Sequence, residues 1–201
     1  MRRLRYNVAV SLDGFIASPD GTTDWIVEDT SIDFAALYAS FSTFVMGRKT
    51  YETMQAYGEQ NPLRAMTRDA LIVVSKSMKA EEHPEVTIVA ERVEEFVEQL
   101  KGAAGSGGGV ARDIWLFGGG QLATCLLNAG LVDTVETAIM PVLIGEGVKM
   151  VGGSAAGDKK TTMKLSLEST RRLSGSGILM CTYLVASLPA APGSCGSDLH
   201  R

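Results

Sequence analysis

Val45-Met46-Gly47-Arg48-Lys49-Thr50-Tyr51-Glu52 is the stretch on which the fold turns. Phe44-Val45-Met46 reads as the end of a buried strand and Gly47 allows a tight turn. Arg48, Lys49 and Thr50 then open a helix whose first N–H groups have no partner within the helix. Two cations, a hydroxyl and a helix N-terminus all favour negative charge, so the expected guest is a phosphate or pyrophosphate. The other reading is a solvated helix start, and this stretch alone does not separate the two.

A second junction has the same grammar. Trp115-Leu116-Phe117 reads as a buried strand, Gly118-Gly119-Gly120 as a turn, and Gln121-Leu122 as the start of a helix running to Ala129 and closed by Gly130. Glycines there let a ligand approach the backbone, although the Gly-x-Gly-x-x-Gly spacing of a dinucleotide fingerprint is missing. A tight strand-to-helix connection is the plainer alternative. Strand carboxyl ends of an open α/β sheet share one edge, where ligands bind, so both seats are expected to serve one diphosphate. Val74-Ser75-Lys76-Ser77 ends another strand with a cation between hydroxyls. That suits a further phosphate such as the 2′-phosphate of NADPH, or equally an ordinary polar strand exit.

Around these junctions the chain alternates strands and helices. Strands are predicted at Leu4–Val10, before Gly47, at Ala70–Val74, Val86–Val89, Asp113–Phe117 and Val132–Ile139. Helices are predicted after Asp29, Thr30 or Ser31 as cap, with Phe34, Leu37, Tyr38 and Phe41 on one face, and at 48–57 and Val93–Lys101. Met163–Arg172 and Ile178–Ala186 read as a closing antiparallel hairpin through Ser174-Gly175-Ser176-Gly177. The fold class is therefore α/β, with a mostly parallel central sheet and an antiparallel C-terminal hairpin. One domain is expected over 1–187, with a Gly/Ser-rich surface insertion at 102–109 and a disordered tail at 188–201.

The bulk numbers narrow the function classes. A chain of 201 residues that is 45% hydrophobic supports one substantial core, and a formal net charge of -4 argues against general nucleic-acid binding. No apolar stretch reaches bilayer length and the N-terminus is too short for a signal-peptide core, so a cytoplasmic protein is expected. Cys125, Cys181 and Cys195 match no zinc-ligand spacing, and Cys125 and Cys181 are expected as small core residues. His83 and His200 are the only histidines, which argues against a histidine metal site.

Met46-Gly47-Arg48-Lys49-Thr50-Tyr51-Glu52 together with Phe117-Gly118-Gly119-Gly120-Gln121-Leu122 resembles the dihydrofolate reductase-like superfamily, a three-layer fold. Ser11-Leu12-Asp13-Gly14-Phe15-Ile16-Ala17 and Pro141-Val142-Leu143-Ile144-Gly145-Glu146-Gly147 are closer to its riboflavin-biosynthesis reductase branch and that branch's stand-alone relatives. The resemblance spans Leu4 to Ala186 and implies NADPH across the carboxyl edge of the sheet. By similarity, Gly47, Arg48, Lys49 and Thr50 hold phosphates and Ser75 and Lys76 flank the adenosine end. Gly118, Gly119, Gly120, Gln121 and Leu122 support the pyrophosphate and nicotinamide ribose. The backbone at Ala9 and Val10 meets the nicotinamide carboxamide, and Asp13 to Ala17 form a mobile loop over the ring.

What the resemblance implies chemically is hydride transfer to a small heterocyclic or carbonyl substrate, a pyrimidine-ribitol intermediate among the candidates. The deaminase domain of the riboflavin branch has no expected counterpart here, which weighs against that intermediate. Dihydrofolate reduction and a non-catalytic nucleotide-sensing module are the alternatives. A carboxylic acid near the nicotinamide would ease hydride addition. Asp33 is the leading candidate, with Asp24 and Glu28 behind it, but the spacing from Trp25 to Gly47 departs from the reductase pattern. Asp13 is expected to brace the loop or reach the substrate. Trp25 and Phe34, with Tyr38 and Phe41, either line a pocket for a flat ring or form core. The branch also implies a homodimer, and Val132–Ile139 is expected as an apolar edge strand open to pairing.

Overall fold

The structure, a computed structural model, describes residues 1–103, 112–152 and 162–186. Its elements in chain order are β1 (Leu4–Ser11), β2 (Phe15–Ala17), α1 (Phe34–Ala39), β3 (Phe41–Gly47), α2 (Arg48–Ala56), β4 (Leu71–Val74), β5 (Thr87–Val89) and α3 (Val93–Gly102). There follow β6 (Asp113–Gly118), α4 (Gly120–Asn128), β7 (Thr134–Met140), β8 (Val148–Lys149), β9 (Leu165–Arg172) and β10 (Leu179–Val185).

One eight-stranded sheet has the order β5-β4-β3-β6-β1-β7-β10-β9. The first six strands are parallel, and β10 runs antiparallel to both β7 and β9. Alternation along each strand splits the apolar residues between two faces. Val45, Ile72, Val74, Ile114 and Leu116 pack with residues of α3 and α4, whereas Phe44, Met46, Leu71, Val73 and Trp115 pack under α1 and α2. With both faces covered the central strands read as nearly unbroken apolar runs, as parallel sheets require. A third cluster, Met140, Leu173 and Ile178, gathers Trp25, Ile26, Val27 and Ile32 over the carboxyl half of β1 and β7 and the amino end of β10.

Trp115 is the hub of the second face, with ring centroids of Phe41, Phe117 and Tyr38 at 4.6, 5.0 and 5.1 Å. Each such pair contributes about 0.5–1.5 kcal/mol beyond its area. That matters for α1, which at six residues is too short to persist without tertiary packing.

Several sequence expectations are corrected. The N-cap of α1 is Asp33, and Asp29 instead accepts from the backbone and hydroxyl of Ser31 in a local turn. Phe41 keeps helical spacing from Phe34 but opens β3, because the helix stops at Ala39. Gly102 ends α3 rather than opening the insertion, whose residues from 104 lie outside the described ones, as does the tail from 188. Cys181 is buried, but Cys125 is only half-buried on α4. The strand expected from Val132 is β7, flanked by β1 and β10, so it is not an edge. Among the described residues no helix is long and apolar enough to cross a membrane.

Candidate functional site

The two glycine junctions end neighbouring strands. In the β3–β6 ladder Met46 pairs with Gly118, so Gly47 and Gly119 leave the sheet side by side. Gly47 is the N-cap of α2 and Gly119 the N-cap of α4, and neither helix start has a side-chain cap. The first-turn N–H groups of both helices therefore face one patch of the carboxyl edge without intrahelical partners. Arg48 and Lys49 are exposed beside them, and Arg48 also pairs with Glu52 at 3.1 Å. A Cβ added at Gly118 or Gly119 would lie 3.8 or 3.7 Å from Thr50 Oγ1, so the half-buried Thr50 hydroxyl rests on this glycine turn. The Gly118–Gly119 peptide bond is cis and Gly118 has φ +124°. Gln121 is exposed at the helix start, whereas Leu122 is buried in the core.

Farther along the edge, Ser75 is buried, and its hydroxyl accepts from Ser77 N at 3.3 Å and Met78 N at 3.1 Å. It therefore folds the strand exit and leaves Lys76 exposed at the turn.

On the other flank the sheet opens. β1 pairs with β7 from Arg5 to Ser11 but with β6 only from Leu4 to Tyr6. Past that point the Asn7 carbonyl accepts from Trp115 Nε1 at 2.8 Å instead of a ladder N–H. Peptide orientation repeats every second residue, so the N–H and C=O of Ala9 point toward the same opening, while those of Val10 point to β7.

Two loops close over the edge and are pinned together by Asp13. Its carboxylate accepts from Ser11 Oγ at 2.6 Å, Gly145 N at 2.8 Å and Ile144 N at 3.2 Å. The Ser11 hydroxyl, and then these backbone N–H groups, hold Asp13 below the usual carboxylate range. The expected mobile loop contains β2, which pairs with β8, and Met150 N donates to Gly14 O at 3.0 Å. The β8 strap lies directly on α4: a Cβ at Gly120 would sit 2.0 Å from Lys149 O. A Cβ at Gly147 would likewise sit 2.2 Å from Ala17 O, which explains glycine at both positions.

Asp33 is exposed and caps α1, accepting from Ala36 N at 2.9 Å, and Asp24 and Glu28 are exposed. Phe34 is exposed, whereas Trp25 packs with Met140, Leu173 and Ile178 beside Ala9. One cluster escaped the sequence reading. Arg5 Nε and Nη2 grip both oxygens of Glu136 at 2.6 and 2.8 Å, and Asn7 Nδ2 and Thr134 Oγ1 also donate to that carboxylate, at 2.8 and 2.9 Å. Its available signal was a charged residue in each of two strands, with a further polar residue beside it in Asn7 and Thr134.

Residues 2–179 match the sequence profile of the RibD C-terminal domain. The chain belongs to that family. An uncharacterised protein of Bacillus subtilis (strain 168), YyaP, is 30% identical over 189 residues, covering 90% of this chain and 94% of that protein. Among solved structures, a putative riboflavin biosynthesis protein from Shewanella sp. PV-4 superposes with a TM-score of 0.72 at 21% identity, covering 92% of this chain and 99% of the other. The Thermotoga maritima diaminohydroxyphosphoribosylaminopyrimidine deaminase/5-amino-6-(5-phosphoribosylamino)uracil reductase gives 0.62 at 18% identity, covering 92% of this chain but 57% of that one. These likenesses fix the dihydrofolate reductase-like fold, with its mostly parallel sheet and antiparallel C-terminal strands.

Proposed function

We propose that this chain is an NADPH-dependent reductase acting on a small heterocyclic or carbonyl substrate, with a ribosylaminopyrimidine of the kind named for the Thermotoga protein as first candidate. The observation that carries the reading is the adjacency of β3 and β6, which brings two uncapped helix starts and two cations to one patch. That donor set fits a diphosphate: N–H groups supply directed bonds, and Arg48 and Lys49 supply charge. Ser75 and Lys76 extend the polar edge toward an adenosine phosphate. The Ala9 peptide offers a donor and an acceptor to a carboxamide.

When bound, NADPH supplies the hydride. The residues of this chain orient it and the substrate and exclude water, the Asp13-pinned loops acting as cover. Asp13 is held as a carboxylate by its donors and so has no proton to give, and Asp33 is engaged as a cap. Their placement also supports a second reading, a nucleotide-binding module without turnover. Following NADPH absorbance with 5-amino-6-(5-phosphoribosylamino)uracil and with dihydropterins separates them. Oxidation with the pyrimidine is expected. Binding of NADPH with no oxidation by either would instead support the module, and absence of binding would overturn both. A homodimer and a cytoplasmic site of action belong to the same proposal, and light scattering tests the former.

A further inference from the structure

The two ends of α2 meet different surroundings. Arg48 and Lys49 open the helix at the carboxyl edge of the sheet, whereas its far end and the turn after it border a cavity of about 400 Å³ at the amino end of β4. That volume lies within the range of small-ligand sites, about 300–1,000 Å³. The cavity has an apolar lining in Leu63 and Leu71, both buried, and the half-buried Met66. Leu71 pairs with Phe44 and Val74 with Gly47, so this lining and the glycine patch are separated by the length of β4, ~10 Å.

The charges bordering the cavity are Glu59, Arg64 and Glu85, and they are unequally partnered. Arg64 is engaged by Glu59 at 3.4 Å, an exposed pair that presents little net charge to a guest. Glu85 has no lysine or arginine partner among the described residues. The Tyr51 hydroxyl donates to its Oε1, and His83 Nδ1 stands 3.5 Å from the same atom. An ionised carboxylate offers about four acceptor sites, so these two contacts leave capacity for a further donor. The last turn of α2 carries no basic residue, so the partial negative charge of its terminal carbonyls adds to that of Glu85. A carboxylate and a helix carboxyl end beside an apolar lining suit a cation carried on a compact apolar body.

We infer that this cavity is a second ligand site that takes a small organic cation, its amidinium or ammonium head on Glu85 and its apolar body on Leu63, Met66 and Leu71. The site stands at the opposite end of the strands from the nucleotide patch, so it does not depend on the reductase reading.

The probe is benzamidine, whose planar amidinium matches a carboxylate and whose ring matches the apolar lining. Benzamide is its neutral counterpart and benzoate its anionic one. In 1H–15N spectra of the full chain at pH 8, above the ordinary imidazole range, benzamidine is expected to shift the Leu63, Met66 and Leu71 amides saturably and to leave those of Gly47 and Gly119 in place. Benzamide and benzoate are expected to bind at least about tenfold more weakly. Glu85→Gln keeps an acceptor for the Tyr51 hydroxyl and removes the charge, and is expected to weaken benzamidine binding about tenfold. No saturable shift at the cavity amides, equal binding of benzamide or benzoate, or unaltered benzamidine affinity in Glu85→Gln overturns the inference. The comparison of the three probes uses the parent chain, so it decides the matter whether or not the variant folds.

Discussion

Met46 and Gly118 are register partners across β3 and β6, and this pairing sets the next residues, Gly47 and Gly119, close together at the edge of the sheet. A Cβ at Gly47 would lie 3.9 Å from Gly119 N and 4.0 Å from Gly118 O, ordinary contact distances, and φ of -82° suits any residue. Gly47→Ala is therefore expected to fold with a loss of about 1 kcal/mol or less, the scale of an N-cap change. Its methyl group stands between the two helix starts, so NADPH affinity is expected to fall roughly tenfold or more, as calorimetry would read.

Gly120→Ala should behave in the opposite way. Its methyl would meet Lys149 O at 2.0 Å, a backbone atom that cannot swing aside. Overpacking of this kind costs about 2–3 kcal/mol, visible as a lower urea midpoint. An unchanged midpoint would contradict the close seat of the β8 strap on α4.

Lys49 and Arg48 act through charge in the cofactor account. Lys49→Ala is expected to weaken NADPH binding several-fold and to flatten its dependence on salt, with little effect on stability. Arg48→Ala removes an exposed pair with Glu52 as well, but such pairs contribute only about 0–1 kcal/mol, so its main effect is also on binding.

Asp13 makes the loop cover pH-dependent. A carboxyl group whose folded pKa lies below its unfolded one stabilises the fold above the unfolded value and loses that contribution as pH falls through the folded one. The Ile144 and Gly145 amides, both donating to Asp13, are expected to be protected from hydrogen exchange at neutral pH. Their protection should decline on the acid side of the aspartate range, below roughly pH 4. Asp13→Asn is expected to weaken protection at neutral pH and to remove the acid step.

Glu136 is held by Arg5 strongly enough to outweigh its burial. Burial alone would raise its pKa, but the bonds and charge of Arg5 bring it below the usual carboxylate range. Glu136→Ala leaves the Arg5 guanidinium largely buried with Asp113 at 3.5 Å as a lesser partner, and a loss of about 2 kcal/mol or more in urea stability is expected. Replacing both Arg5 and Glu136 by Leu is expected to cost less than the sum of the single changes.

How much of this was legible in the sequence depended on range. Gly47 and the Gly118-Gly119-Gly120 turn were readable because a strand, a glycine and a helix start are local signals. That both would share one sheet edge followed from the α/β pattern, but the strand order did not, since it depends on β6 inserting beside β3 across some 70 residues of chain. Asp13 was recognisable within its motif, yet its partners Ile144 and Gly145 lie 131 and 132 residues away. Phe41 misled because spacing of seven from Phe34 fits a helix as well as a helix that has ended. The Arg5–Glu136 pair was missed because a charge within a strand has no sequence-local partner to reveal it.

If the paired helix starts at Gly47 and Gly119 hold NADPH, the full chain binds it in solution. Isothermal titration of NADPH into the ligand-free full chain at low salt tests it most directly. Saturable one-to-one binding that weakens as salt is raised, and that weakens again in Gly47→Ala, is the result expected. No binding heat across several temperatures, or equal binding by the parent and Gly47→Ala, would contradict it.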